Sequence, residues 1–139
     1  MDKLSVLPVS FFPQLLSGEM TIEQWARIGR KYGLKYIDLP NWAFRSHMPS
    51  YLRQQKAILD AVGVSVGSVG THSDLTNPDS VQRKRELDYL RRDIALASEM
   101  GAEYVRVTDG QAHPGLTTEQ GLDYASEGLA KAKQTADEY

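Results

Sequence analysis

Three times in 139 residues a helical run ends at a glycine and a short β-rich run begins. Residues 90–110 show the pattern in full: L-R-R-D-I-A-L-A-S-E-M-G-A-E-Y-V-R-V-T-D-G. Leu90, Ile94, Ala97 and Ser98 keep the i, i+4, i+7, i+8 spacing of one helix face. Gly101 stops that helix, because glycine takes the left-handed position after a helix end at no steric cost. Residues 104–108 then read as a strand, and Asp109-Gly110 as a turn. Gly33 and Gly63 mark the same junction earlier in the chain.

The rest of the chain supplies the remaining units. Residues 4–12 are the first strand candidate, with Pro8 inside it, which points to an edge or an irregular start. Thr21-Ile22-Glu23-Gln24 has the form of a capping box, and Ile22, Trp25, Ala26, Gly29 and Tyr32 line the helix that follows. Residues 35–39 are the second strand. Ser50 is placed as the N-cap of a helix whose buried stripe is Leu52, Ile58, Leu59 and Val62. Residues 64–69 are the third strand. Asn77-Pro78 reads as an N-cap and first helical residue opening a long helix to Met100, with Asp88 and Arg92 as an i, i+4 ion pair. Residues 104–108 are the fourth strand. Thr117-x-x-Gln120 is a second capping box, and Leu122, Ala125, Leu129, Ala132 and Ala136 form the stripe of the last helix.

The reading is α/β: four βα units with a parallel sheet, residues 1–139 forming a single domain. Parallel strands require crossovers, which are right-handed and which lay helices against the sheet. The last helix reaches Asp137-Glu138-Tyr139, where earlier units place a glycine and a strand. The expectation is a chain that is cut rather than finished.

Composition narrows the classes. Hydrophobic residues at 41% and charged residues at 24% match an ordinary globular domain. A net charge of −2 gives no electrostatic reason to expect nucleic acid. There are no cysteines, hence no disulfides or thiolate metal site. No signal peptide or membrane-length apolar run is evident, so the expected location is the cytoplasm without membrane association.

Function in such sheets lies at the C-terminal strand ends. That rule selects Phe11 and Phe12, Asn41 and Trp42, Thr71 and His72, and Thr108 and Asp109, and of these Phe12, Trp42, His72 and Asp109 are the candidate substrate-binding residues. The aromatics suit stacking on an apolar ligand face. His72 suits a hydroxyl or a metal, and Asp109 suits hydroxyl groups. Asp38 and Arg106 each lie five residues beyond a junction glycine, flanked by bulky apolar neighbours. If the units close into a barrel, where alternate strands supply one interior layer, both are expected to point inward as a buried ion pair.

The stretches I-E-Q-W-A-R-I-G-R-K-Y-G-L-K-Y-I-D-L, G-V-S-V-G-S-V-G-T-H-S-D-L-T-N-P-D and D-I-A-L-A-S-E-M-G-A-E-Y-V-R-V-T-D-G resemble the xylose isomerase-like TIM barrels. This is the sugar phosphate isomerase/epimerase superfamily, which also includes endonuclease IV-type DNA repair enzymes. The resemblance covers the first four βα units, the N-terminal half of the barrel. It implies a metal-dependent sugar or sugar-phosphate isomerase or epimerase that moves a proton next to a carbonyl. The divalent metal (Mn, Co, Mg or Zn) and two catalytic glutamates would belong to the second half. This chain alone is therefore expected to hold no metal and no catalytic residue, and to be inactive. An endonuclease IV-like fragment is the alternative, weakened because Asp109 stands where that branch has a histidine. A third reading is a non-catalytic half-barrel module. Its open sheet edges, like those of any half-barrel, would favour a homodimer.

Overall fold

The computed structural model describes residues 4–139. After a turn of 3₁₀ helix at Val9–Phe11 come α1 (Phe12–Ser17), α2 (Ile22–Lys31), β1 (Tyr36–Pro40), α3 (Pro49–Val62), β2 (Ser65–Gly70), α4 (Ser80–Glu99), β3 (Tyr104–Arg106) and α5 (Thr118–Ala136). The three strands form one parallel sheet in the order β1-β2-β3. The architecture is that of a partial TIM barrel. The chain clusters into two compact units. The first joins the chain up to Gly70 with Leu96–Arg106, and the second is Thr71–Ala95 with Val107–Tyr139.

The first unit holds the sheet. Gly33, Gly63 and Gly101, the three junction glycines, all take positive φ (+86°, +77° and +71°). Each one lets a helix end abruptly and the chain reverse into a strand. The register aligns Leu39 with Val69 and Val69 with Val105, so these residues share one face. Ile37 and Val66 pair on the same face. Ile37, Leu39 and Val69 are completely buried. They pack in one cluster with Ile22, Trp25 and Ala26 of α2, Leu52 and Leu59 of α3, and Leu96 and Ala97 of α4. Between the Ile37–Val66 and Leu39–Val69 pairs, β1 spends one residue and β2 spends two, which is a bulge. The amide displaced by the bulge is recovered by a side chain: Ser68 N–H donates to Asp38 Oδ1 at 2.8 Å. Gly67 makes room for this, since a Cβ there would stand 3.1 Å from Asp38 Oδ1 and 2.9 Å from Ser5 Cβ.

In the second unit, α5 approaches the loop after β2 closely. A Cβ on Gly128 would lie 3.1 Å from Leu75, which is 2% exposed. Arg83 of α4 stacks on the Tyr124 ring of α5 at 3.8 Å. Leu87, Leu90 and Ile94 of α4 and Ala125 and Ala132 of α5 are buried in this unit.

Both capping boxes form as the sequence indicates, Thr21 with Gln24 on α2 and Thr117 with Gln120 on α5. Other details differ. The described part of the first strand candidate makes no regular strand. Pro8 has no N–H and sits at ψ 55°, and a 3₁₀ turn follows. The segment still touches the sheet, because Asp38 N–H donates to the Val6 carbonyl at 3.0 Å. Helix α3 begins at Pro49 rather than after Ser50. Helix α4 begins at Ser80, not at Pro78. Asp79 Oδ1 caps it by accepting from Val81 N–H at 2.8 Å, and Asn77 Oδ1 accepts from Asp79 N–H in the turn before. Asp88 pairs with Lys84 and Arg91 rather than Arg92. Tyr32, Ser98, Leu122 and Leu129 are exposed rather than part of buried stripes.

Leu39→Ala should cost about 2–5 kcal/mol, because it leaves a cavity in a fully packed row. Leu122→Ala, at an exposed position, should stay within about 0.5 kcal/mol. Urea unfolding of the two variants measures both.

Candidate functional site

The loops that leave β2 and β3 are rich in short polar side chains, and these side chains find one another. Ser73 Oγ donates to the Thr108 carbonyl at 3.0 Å, and Thr108 Oγ1 donates to the Ser73 carbonyl at 3.2 Å. Leu75 N–H donates to the Asp109 carbonyl at 3.0 Å. Thr76 Oγ1 accepts from Gln111 N–H at 2.9 Å. Its single proton faces two acceptors, the Gln111 carbonyl at 2.7 Å and Asp74 Oδ1 at 3.0 Å. Parallel pairing thus continues past the last ladder bond by side-chain means, a use that Ser and Thr suit well. The fourth strand read from sequence as residues 104–108 accordingly ends at Arg106.

Asp74 is the centre of this cluster. His113 Nε2 lies 2.9 Å from Asp74 Oδ2 and 3.2 Å from Oδ1, and both side chains are largely buried. Gln111 Nε2 approaches Oδ2 at 3.5 Å. Burial pushes the Asp74 carboxyl up. The hydrogen bonds from His113, Thr76 and Gln111 and the attraction of the imidazole outweigh it, and hold the group below its ordinary value of 3.8. Gly110 sits against this carboxylate at φ +141°. A Cβ there would collide with Thr76 Oγ1 and stand 2.9 Å from Asp74 Oδ1. Beside the pair, Asp109, Gln111, His113, Leu116 and Leu122 border a cavity of about 290 Å³.

Of the residues chosen from sequence, Phe12 and Trp42 lie in the first unit and His72 and Asp109 in the second. Phe12 is the first residue of α1, not a strand-end residue, and packs edge-on against Trp42 at 4.9 Å between ring centroids. The structure brings these two together in the first unit. His72 is exposed on the loop after β2. Asp109 is exposed and borders the cavity. The alternation of β1 and the Gly70–Arg106 pairing put Asp38 and Arg106 on one face of the sheet, opposite the Leu39–Val69–Val105 row. Strand β2 lies between them, and the contact shown for Asp38 is with the Ser68 amide. Asp74 and His113 went unselected, because 39 positions separate them. The only local signals were a titratable residue after a predicted strand and a histidine ahead of Pro114-Gly115. Among the described residues no three His, Asp or Glu side chains gather as a metal would need. The divalent metal implied by the resemblance does not fit this donor set.

A parallel sheet with helical crossovers, and polar side chains gathered on the loops beyond its strands, define a portion of an α/β barrel. The chain belongs to the xylose isomerase-like TIM barrel family, whose model matches residues 26–139. No curated protein sequence matches it. Among solved structures it is similar to D-psicose 3-epimerase with D-tagatose from Clostridium cellulolyticum H10, at TM-score 0.78 and 11% identity over 96% of this chain and 48% of that one. It is also similar to 3-keto-D-glucoside 4-epimerase from E. coli (0.72, 14%, 99% and 53%). A protein from Sinorhizobium meliloti 1021 is a third (0.74, 19%, 98% and 47%). At these identities the likeness is one of fold, and the chain spans about half the length of each.

Because the folded pKa of Asp74 is depressed, its pairing stabilises the protein above the unfolded carboxyl pKa, and that stability is lost as pH falls through the lowered value. Asp74→Asn should therefore destabilise the protein at neutral pH, with the gap to the parent closing as pH drops below 3.8. Denaturant unfolding at neutral and strongly acidic pH measures the gap. A gap that widens in acid would contradict the assignment.

Proposed function

We propose that this chain is the N-terminal half of a metal-dependent sugar isomerase or epimerase, inactive by itself. The observation that carries the reading is membership of the xylose isomerase-like family, combined with a fold shared with two sugar epimerases over essentially the whole chain. The polar loops after β2 and β3 support it, since they occupy the positions from which barrel enzymes hold their substrates. In this reading the substrate-binding residues are Phe12 and Trp42 of the first unit, which offer an aromatic surface, and His72 and Asp109 of the second, which offer hydrogen bonds. Proton transfer next to a carbonyl, and the metal ligands, belong to residues outside this chain. The protein works in the cytoplasm. Among the described residues no helix is long and apolar enough to cross a membrane.

The interior pairing of Asp38 with Arg106 remains part of the proposal, as a contact completed when the barrel is closed. Homodimerisation is a further part. Strand β3 has three residues and Tyr104 is 65% exposed, an edge suited to recruiting another strand.

Solvent deuterium incorporation tests the reaction. A protein containing this chain and a second half-barrel should exchange a carbon-bound hydrogen of a ketose in D₂O when supplied with Mn²⁺ or Co²⁺, and the 139-residue chain should not. Exchange by the chain alone would place catalytic residues within it. Calorimetry with the same ions should show no micromolar site on the chain, and light scattering should show a concentration-dependent dimer.

A further inference from the structure

The second unit gathers basic side chains of α4 and α5 around one groove, and the reaction proposed above uses none of them. Arg83, Lys84 and Arg91 of α4 and Lys131 of α5 line it, over the buried Leu75 and Leu87. Its volume is about 350 Å³, and it shares no residue with the cavity beside the Asp74–His113 pair. Helix geometry sets the arrangement. Positions 83, 84, 87 and 91 fall on one face of α4, and positions 124, 127, 128 and 131 on one face of α5. Arg91 stands about 12 Å along the axis from Arg83.

The charges do not balance. Glu127 is the only carboxylate in the lining, and its partner is Lys131. Asp88, just outside the lining, is shared by Lys84 at 3.0 Å and Arg91 at 3.1 Å. Four cations thus meet two carboxylates, in a chain whose net charge is −2. The bond to Lys131 and the attraction of Arg83 hold the Glu127 carboxyl below its ordinary value of 4.5. Lys84 and Arg91 likewise hold Asp88 below 3.8. The same field draws in a mobile anion.

Arg83 is the built part of the groove. Its guanidinium lies 3.8 Å over the Tyr124 ring, and Nη1 donates to the Asn77 carbonyl at 2.6 Å and the Pro78 carbonyl at 3.0 Å. These contacts fix the plane of the fork before a ligand arrives, so little side-chain entropy is lost on binding. They engage one nitrogen. The Nε and Nη2 edge has no protein acceptor among the described residues, and a phosphoryl group bridges such an edge with two parallel bonds. Ser80 adds a hydroxyl to the same lining. The nearby Asp79 carboxylate is engaged as the cap of α4, accepting from Val81 and Gln82 N–H. Lys84 and Arg91 are held by surface pairs, which are weak and readily exchanged for a ligand. A lone phosphate cannot reach both ends of a row about 12 Å long, whereas a chain of phosphoryl groups reaches more of it. The volume sits at the small end of ligand sites, which favours a small molecule over a peptide.

We propose that this groove binds a small oligophosphate, free or as the phosphate chain of an organic molecule, with Arg83 gripping one phosphoryl group and Lys84, Arg91 and Lys131 neutralising the rest. The proposal stands on the groove alone and does not rest on the sugar-enzyme reading.

The test is a ¹H–¹⁵N NMR titration of the chain with orthophosphate, tripolyphosphate, adenosine triphosphate and a hexaglutamate peptide. Tripolyphosphate should shift the amide signals of Leu75, Arg83, Leu87 and Gly128 in a saturable way, roughly tenfold more tightly than orthophosphate. Adenosine triphosphate should compete for the same signals, and the tighter of the two chains identifies the source as free or organic. Arg83→Gln should weaken tripolyphosphate binding by roughly tenfold or more. Lys84→Gln should weaken it severalfold, and keeps the test open if the first variant loosens α4 from α5. Asp88→Asn, which releases Lys84 and Arg91, should tighten it severalfold, a change of sign that a loss of folding cannot produce. Lys56→Gln, in the first unit, should leave it unchanged. Absence of saturable shifts at the groove would overturn the site. Equal weakening by Lys56→Gln and Lys84→Gln would reduce it to diffuse attraction and overturn it as well. Tighter binding of hexaglutamate would overturn the choice of a small oligophosphate.

Discussion

One row of side chains, Leu39, Val69 and Val105, fixes the register of the sheet. Leu39 and Val69 are completely buried, and sliding either strand by one residue would turn its apolar set away from the helices. The bulge between the Ile37 and Leu39 rows follows from that constraint. Strand β2 must accommodate an extra residue to keep both apolar rows aligned, and Asp38 recovers the amide this displaces. Gly67 is small because the clip passes over it. Asp38, Gly67 and Ser68, three residues with no apolar role, are thus explained by the packing of their neighbours.

Beyond the last ladder bonds the second unit holds its loops by different means. Hydroxyls of Ser73, Thr76 and Thr108 bond to backbone groups more than thirty positions away, and the Asp74 carboxylate gathers Thr76, Gln111 and His113. An unmade bond among partly buried polar groups costs more than a made one contributes. Among the described glycines, Gly110 is the one where an added side chain would collide with this network. A cluster of this type restricts its polar groups to a few orientations.

Much of the fold was legible because its signals are local. A glycine after a helical period, a Thr-x-x-Gln capping box and a short β-branched run each act within a few residues. Gly33, Gly63, Gly101, Thr21 and Thr117 all stand where the pattern placed them. The failures were of two kinds. Pro8 and Asn77-Pro78 carry ambiguous local signals, and side-chain competition settled them: Asp79 supplied the better cap for α4. The pairing of Asp74 with His113 was not legible. Strand-end reasoning picked His72 and Asp109, both exposed, and did not select Asp74 and His113, which come from two loops far apart in the chain. A contact across 39 positions has no period or motif to announce it. The same holds for Asp38, whose face was predictable from alternation while its partner, the Ser68 amide, depended on a bulge.

The account rests most directly on the state of the His113 ring. Long-range ¹H–¹⁵N NMR of the imidazole reports which nitrogen carries the proton in the neutral form. Nε2 protonated and Nδ1 bare is the result that follows from an Asp74 carboxylate at 2.9 Å, with the preference lost in Asp74→Asn. A neutral ring protonated on Nδ1, unchanged by that substitution, would contradict the geometry on which the site is built.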